Sequence, residues 1–139
     1  YTSLQVPLSV GQQEVVVSVL PRARDSGVGI IVRVPLASGL LTGKYDTLDG
    51  FAEDDPRAEP RFRERMVPRM LSVEPLRELA KQEGVSVVHA ALAWVLSHDA
   101  VSVTIPGSKN AAQVEDNVAA SDVKLSQAFV DGVCALALA

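Results

Sequence analysis

A glycine, a hydroxyl group and a cation stand together in the segment Gly107-Ser108-Lys109, directly before a predicted helix. Glycine lets a backbone approach a ligand closely, while Ser108 and Lys109 offer a donor and a positive charge. The first amides of the helix lack intrahelical acceptors and carry the positive end of its dipole. Together these features are typical of an anion site suited to a phosphate. A surface turn with a solvated lysine explains the same residues, and for these residues alone it is the simpler interpretation.

Other polar residues could extend this site. Gln113, Asp116 and Asn117 follow at about one helical turn's spacing, from which they could reach a base or a ribose. Gln5 stands inside a strand-like run, and residues 33–43 directly follow another such run. The sequence thus offers three places where a ligand could be contacted.

The elements that must position these places alternate between strands and helices. Strand patterns over residues 4–8, 30–34 and 101–105 predict a parallel sheet with right-handed crossovers, its strands neighbouring in that order. In such architectures ligands bind at the carboxyl ends of the strands. The three polar places lie in or directly after these strands.

Helices are predicted between the strands from their apolar spacing and their caps. Residues 12–24 form a helix interrupted by a proline, and further helices cover 73–83, 87–96, 111–120 and the segment from 125 onward. The residues predicted to cap or interrupt them are Pro21, Ser72, Gly84, Ser86 and Asn110, with Gln113 completing a capping box. Residues 36–68, rich in glycine, proline and charge, predict a long functional loop in which 57–69 could form a short helix.

Composition limits the class of protein. A net charge of −4 over 139 residues argues against nucleic acid as a partner, and no stretch is long and apolar enough to span a membrane. The single Cys134, His89 and His98 fall at no metal-ligand spacing, so no metal is expected. We interpret His89 as a core histidine and residues 53–55 as a solvated charge run. His98 ends a helix, where the dipole favours a cation, and we interpret it as structural. These features favour a cytoplasmic setting.

The chain begins at Tyr1, without an initiator Met, inside a strand-like run. Three strands are also fewer than a closed barrel or a doubly wound sheet needs. We therefore expect a part of a larger domain. Its open strand edges predict association with the missing part or with a second copy.

Three segments resemble the aldo-keto reductase family, in the family's order and spacing. Residues 105–110, continued by 113–117, resemble the cofactor-binding segment after the last barrel strand. Residues 33–45 resemble the segment after the seventh strand, and residues 4–7 the sixth strand. The resemblance implies an α/β fold, a partial (β/α)8 barrel with strands six to eight. Residues 1–139 would then be the C-terminal, NADP-binding half, without a second domain.

The resemblance also implies roles at the nicotinamide and pyrophosphate end of the cofactor. Gln5 would bind the nicotinamide carboxamide, and Arg33 stands where many members stack an aromatic ring on the nicotinamide. Residues 36–39 would wrap the pyrophosphate, and Lys44 would meet a phosphate. A planar guanidinium can also stack on a ring, so Arg33 remains compatible with that role.

At the adenosine end, the resemblance places Ser108, Lys109 and Gln113 around the 2′-phosphate, and Asp116 and Asn117 on the adenine. Gln113 replaces an arginine of some members, and Asp116 replaces a glutamate of many. Lys109 would favour NADPH over NADH. The complete implied cofactor-binding set is Gln5, Arg33, Leu36, Ser38, Gly39, Lys44, Gly107, Ser108, Lys109, Gln113, Asp116 and Asn117.

The activity implied is reversible reduction of small-molecule aldehydes or ketones by NADPH. The family's catalytic Asp, Tyr, Lys and His come from earlier strands, and neither Tyr1 nor Tyr45 lies in the matching context. We therefore expect no catalytic residue in this chain, and expect it to be inactive alone. Two alternatives stay open: a catalytically silent nucleotide-binding or regulatory half-barrel, and a truncated gene product without function.

Overall fold

A three-stranded parallel sheet organises the computed structural model, which describes residues 1–49 and 51–136. The strands β1 (Ser3–Pro7), β2 (Gly29–Arg33) and β3 (Val101–Ile105) lie in chain order, with β2 in the middle. Their bounds differ from the predicted ones by at most one residue, because continuous β-branched runs are typical of parallel strands. The predicted order and direction are confirmed.

The described residues also form seven α-helices: α1 (Glu14–Ser18), α2 (Leu20–Asp25), α3 (Pro60–Met70), α4 (Val73–Glu83), α5 (Val87–Leu96), α6 (Ala111–Ala119) and α7 (Gln127–Ala135). Three short 3-10 helices, Ala37–Thr42, Pro56–Ala58 and Ala120–Asp122, complete the regular structure. None of the helices in the described ranges has the length and apolar character needed to cross a membrane.

The first predicted helix is two helices. The chain breaks at Val19, and Pro21 lies in the first turn of α2. A proline is tolerated there because the first amides of a helix have no intrahelical acceptor. The predicted interruption is confirmed, and it falls two residues before the proline.

Most of the predicted caps are formed by local hydrogen bonds. Ser86 Oγ accepts from the amide of His89 at 3.1 Å, and Gly84 ends α4 with a φ of 75°. The prediction for Ser72 is wrong, because its hydroxyl donates to the carbonyl of Arg69 at 2.7 Å. Ser72 follows α3 almost directly and keeps a helical backbone, so its side chain turns back to the helix before it.

The predicted long loop over residues 36–68 is largely ordered into helices. It contains two of the 3-10 helices and the 11-residue α3, which confirms the short helix predicted over 57–69. The irregular part that remains, residues 43–49 and 51–55, is named the strap below. It joins the first 3-10 helix to the second.

The core lies on one side of the sheet. Ile30 and Val32 of β2 are fully buried there, in one core cluster with the buried residues of α5, which run from Ala90 to Val95 and include Trp94. α5 contacts β3, α4, α6 and the 3-10 helix Ala37–Thr42, so one buried helix supports the segments that follow both β2 and β3. Its nearly uniform apolar surface is what the sequence predicts for a buried helix.

The other side of the sheet is the uncovered face, which carries Gln5, Ile31, Arg33, Val103 and Ile105 in register. Val103 and Ile105 are 43% and 48% exposed although both are large apolar residues. Side chains alternate along a strand, so burial of Ile30 and Val32 places Ile31 and Arg33 on this opposite face. Gln5 and Arg33 therefore share one surface.

His98, two residues after α5, lies where the helix dipole favours a cation, but its surroundings do not favour the charged form. Its ring lies edge-on to Trp94 with the centroids 4.8 Å apart, and Nε2 is buried without a hydrogen-bond partner in the part of the chain that the structure describes. Burial lowers the pKa of His98, against a smaller opposing effect of Asp99. Desolvation outweighs the dipole and favours the neutral ring.

This burial predicts a loss of stability in mild acid. As pH falls below about 6.5, the unfolded chain binds a proton at His98 before the folded chain does, which lowers the free energy of unfolding. The loss stops growing once pH falls below the lowered pKa of the folded state. We expect urea unfolding between pH 7.5 and 5 to show a shallower decline for His98→Gln than for the parent protein. Parallel curves would contradict a buried neutral histidine.

Candidate functional site

The backbone after β2 adopts a conformation that L-residues seldom accept. Val34, Ala37 and Ser38 have φ values of 57°, 48° and 57°, and Gly39 follows at 95°. A β-branched residue such as Val34 is particularly disfavoured in this region. Strained backbone persists where the surroundings enforce it, and it concentrates at ligand sites. This is the segment predicted to wrap a pyrophosphate.

Buried leucines hold this segment in place. Leu36, Leu40 and Leu41 are buried in the core, and the amides of Gly39 and Leu41 both donate to the carbonyl of Leu36, at 2.9 and 3.2 Å. Thr42 Oγ1 donates to the carbonyl of Gly39 at 2.6 Å. Because its side chain faces the core, Leu36 can meet a ligand through its backbone alone, whereas Ser38 is exposed.

Arg57 ties the strap to this strained segment. Its guanidinium donates to Asp55 Oδ2 at 2.6 Å and to the Tyr45 hydroxyl at 3.2 Å, and it lies 4.4 Å from the centroid of the Phe51 ring. It also approaches the carbonyl of Ser38 at 3.5 Å. Hydrogen bonds from Arg57 lower the pKa of Asp55 to about 2.

Asp55 is therefore not part of a solvated charge run, although Glu53 and Asp54 are exposed as predicted. Sequence analysis missed Arg57. The two residues before it, Asp55 and Pro56, predict a turn, because aspartate before proline favours one. No local sequence pattern predicts that Arg57 stacks on Phe51.

The other part of the strap is tied by two more arginines. Arg77 of α4 donates to the carbonyl of Gly43 at 3.2 Å and to Asp46 Oδ1 at 2.6 Å. Arg63 of α3 pairs with Asp49 at 2.5 Å. Exposed ion pairs such as these stabilise by at most about 1 kcal/mol each. They tether the strap to α3 and α4.

The turn after β3 is fixed to α6 by hydrogen bonds. Asn110 Oδ1 accepts from the amide of Gln113 at 2.9 Å, which confirms the predicted cap. Gln113 Oε1 accepts from the amide of Lys109 at 2.7 Å, so it reaches one residue beyond the amide of a standard capping box. Asn117 Nδ2 donates to Ser108 Oγ at 2.9 Å. Four of the predicted site residues are thus linked, namely Ser108, Lys109, Gln113 and Asn117. The segment that holds them is called the Gly107–Asn117 unit below.

Gly107 is the first residue of this unit and faces open space among the described residues. A Cβ atom added there would meet no atom within 4 Å, and its φ lies outside the left-handed region. The chain itself therefore does not require glycine at this position. Space for an approaching ligand is the use that fits it.

The two loops lie at the same end of the sheet, as parallel strands require. β2 and β3 are neighbouring parallel strands, so the segments that follow them both begin at the same edge of the sheet. Lys44 is exposed at the start of the strap. Gln5 and Arg33 lie on the uncovered face, and Arg33 directly precedes Val34 of the strained segment.

Asp116 contacts a residue that sequence analysis placed in the core. His89 Nε2 lies 3.0 Å from both Oδ1 and the backbone carbonyl of Asp116. The histidine is only partly buried, so its interpretation as an enclosed core residue is wrong. His89 lies in the first turn of α5. The rest of this helix is almost entirely apolar, so the sequence does not indicate that His89 has a polar partner.

Comparison with known proteins identifies the family. The sequence model of the Aldo/keto reductase family matches residues 2–137. This chain belongs to that family. The resemblance predicted from its three segments is confirmed.

Relatives and a solved structure agree with this assignment. The L-glyceraldehyde 3-phosphate reductase of Escherichia coli is 39% identical over 108 residues, which are 73% of this chain and 31% of that protein. The aldo-keto reductase yakc [NADP(+)] of Schizosaccharomyces pombe is 31% identical over 126 residues, 89% of this chain and 37% of that protein. The glycerol dehydrogenase of Gluconobacter oxydans superposes with a TM-score of 0.80 at 25% identity, covering 96% of this chain and 41% of that one.

This chain spans between 31% and 37% of the length of the relatives it matches. Its α/β fold is similar to that of an aldo/keto reductase barrel over nearly its whole length.

Proposed function

We propose that this chain forms the NADPH-binding part of an oxidoreductase that reduces small-molecule aldehydes or ketones. The observation that carries the proposal is the juxtaposition of two ligand-ready loops at one end of the sheet. One is the strained backbone from Val34 to Gly39 under the strap, and the other is the Gly107–Asn117 unit at the start of α6. Strands β1 to β3 then act as the sixth to eighth strands of an eight-stranded barrel.

The donors of this site fit a dinucleotide phosphate. Lys109, Lys44 and the first amides of α6 supply positive potential for phosphate oxygens, and Gly107 leaves room for them. Ser108 and Gln113 are held beside Lys109. This group of donors suits the 2′-phosphate that distinguishes NADPH from NADH. The name of the yeast relative, which includes NADP(+), supports the same choice.

The other residues are assigned from the adenine end of the cofactor to the nicotinamide end. Asp116 and Asn117 hold the adenine. The pyrophosphate is held by the backbone of Leu36, Ser38 and Gly39, and the nicotinamide carboxamide is held by Gln5. Arg33 stacks its guanidinium on the nicotinamide. When bound, the reduced nicotinamide supplies the hydride for carbonyl reduction. The residues of this chain bind and orient it, and the proposal assigns none of them a catalytic role.

The uncovered face fits this proposal. Exposed Val103 and Ile105 belong to the side that a barrel closes with its other strands. We propose that the rest of the barrel, rather than a nucleic acid or a membrane, covers them. The acidic net charge and single cysteine support a cytoplasmic setting.

Hydrogen exchange tests the proposal directly. In the protein at its native length, adding NADPH is expected to slow exchange of the amides from Gly39 to Lys44, because a bound pyrophosphate would hold the strap closed. Amides in the middle of α7, which packs against α4, serve as an internal control. If exchange of the amides from Gly39 to Lys44 did not change at saturating NADPH, the assignment would be contradicted.

Turnover separates the two classes of function. Protection by NADPH together with oxidation of the cofactor in the presence of an aldehyde supports the reductase. Protection without turnover of any aldehyde or ketone supports the catalytically silent nucleotide-binding module instead.

A further inference from the structure

Asp116 differs from its neighbours in how it is held. Asn117 is bonded to Ser108, and Gln113 to Lys109, so both are fixed from within the loop and α6. Asp116 is fixed from another helix, by His89 of α5. That histidine lies 27 residues away in sequence, and its backbone is set by the Ser86 cap.

The direction of this hydrogen bond follows from its acceptors. His89 Nε2 faces a carboxylate oxygen and a backbone carbonyl, each at 3.0 Å, and neither atom can donate. Nε2 therefore carries the hydrogen and shares it between both oxygens. The His89 side chain thus holds the Asp116 carboxylate in a fixed position relative to the Asp116 backbone.

This restraint leaves a defined acceptor. The Asp116 side chain is 58% exposed while that of His89 is 22% exposed, so the pair presents its carboxylate to solvent and its imidazole to the protein. Oδ2 makes no hydrogen bond within residues 1–49 and 51–136. A carboxylate oxygen accepts from an exocyclic amine, and adenine carries such an amine at its sixth position.

We infer that His89 is a positioning residue for adenine recognition, holding the Asp116 carboxylate so that its free oxygen accepts from the adenine amine. The inference rests on the proposed NADPH site. Aspartate is one methylene shorter than the glutamate of many family members, so it reaches less far and gains more from being held. Without His89, the carboxylate must be ordered at the moment of binding, which weakens affinity by about three- to tenfold.

The test compares two cofactors that differ at that amine. Reduced nicotinamide hypoxanthine dinucleotide phosphate has a carbonyl oxygen where NADPH has the amine, and both can be titrated by nicotinamide fluorescence on the protein at its native length. We expect the parent protein to prefer NADPH, and His89→Leu to lose about three- to tenfold of that preference. His89→Gln keeps a donor near the same point and is expected to retain the preference.

A double substitution shows whether His89 acts through Asp116. In an Asp116→Ala background, His89→Leu is expected to have no further effect on the preference. Equal weakening of both cofactors in His89→Leu, or additive effects in the double variant, would overturn the positioning role. A parent protein that binds both cofactors equally well overturns it too, while leaving the proposed function standing. A parent protein that binds neither overturns both.

Discussion

Replacing Lys109 with alanine is expected to weaken NADPH binding by roughly one to two orders of magnitude and to leave NADH binding nearly unchanged. Only NADPH carries the 2′-phosphate, and a charge-assisted contact to it contributes about 1.5–3 kcal/mol. The lysine is exposed at the end of a turn that Gln113 and Asn117 already hold, so its removal should not disturb the fold. Titration of nicotinamide fluorescence with both cofactors on the protein at its native length measures the effect.

Lys124→Ala provides the matched control, because Lys124 is also exposed but lies beyond α6. It should change neither affinity. Equal losses for both cofactors in Lys109→Ala would mean that Lys109 touches groups common to them. If affinity for neither cofactor fell, Lys109 would be a solvated surface lysine, which is the simpler interpretation of the turn.

Trp94→Ala should produce the largest loss of stability in the chain, about 3–5 kcal/mol in the free energy of unfolding. Trp94 is fully buried in the last turn of α5, the helix that contacts the segments after both β2 and β3. The substitution removes a large ring and leaves a cavity that backbone elements on several sides cannot all close. Urea denaturation of the protein at its native length measures the loss.

Two variants bracket this result. Trp94→Phe keeps most of the ring and removes an indole nitrogen that has no hydrogen-bond partner among the described residues, so it should cost much less. Leu71→Ala removes a leucine that is 77% exposed and should change stability by no more than about 0.5 kcal/mol. Similar losses for Leu71→Ala and Trp94→Ala would contradict the central position of α5.

The sequence predicts the features of this molecule that local interactions decide. The strand Val101–Ile105 and the helix Val87–Leu96 have the predicted bounds, because β-branched runs and serine caps act over a few residues. The Gly107–Asn117 unit was predictable for the same reason. Its hydrogen bonds span at most nine residues.

Interactions between distant segments could not be predicted. Val34 takes a φ of 57° because the surrounding fold enforces it, against its own preference. Arg57 meets Phe51 and Tyr45 through the folding of the strap, and His89 meets Asp116 through the packing of two helices. The burial of His98 likewise depends on the rest of the core, which is why the dipole at the end of α5 does not decide its charge.

The connections between the strands also set an order of assembly. β1 and β2 are joined by residues 8–28, whereas β2 and β3 are joined by residues 34–100, about three times as many. Closing the longer connection costs about 1 kcal/mol more in chain entropy. We therefore expect β1, α1, α2 and β2 to associate first and β3 to dock late. Because the proposed NADPH site uses the segments after both β2 and β3, we expect affinity for the cofactor only at the end of folding, so that the cofactor would stabilise only the finished arrangement.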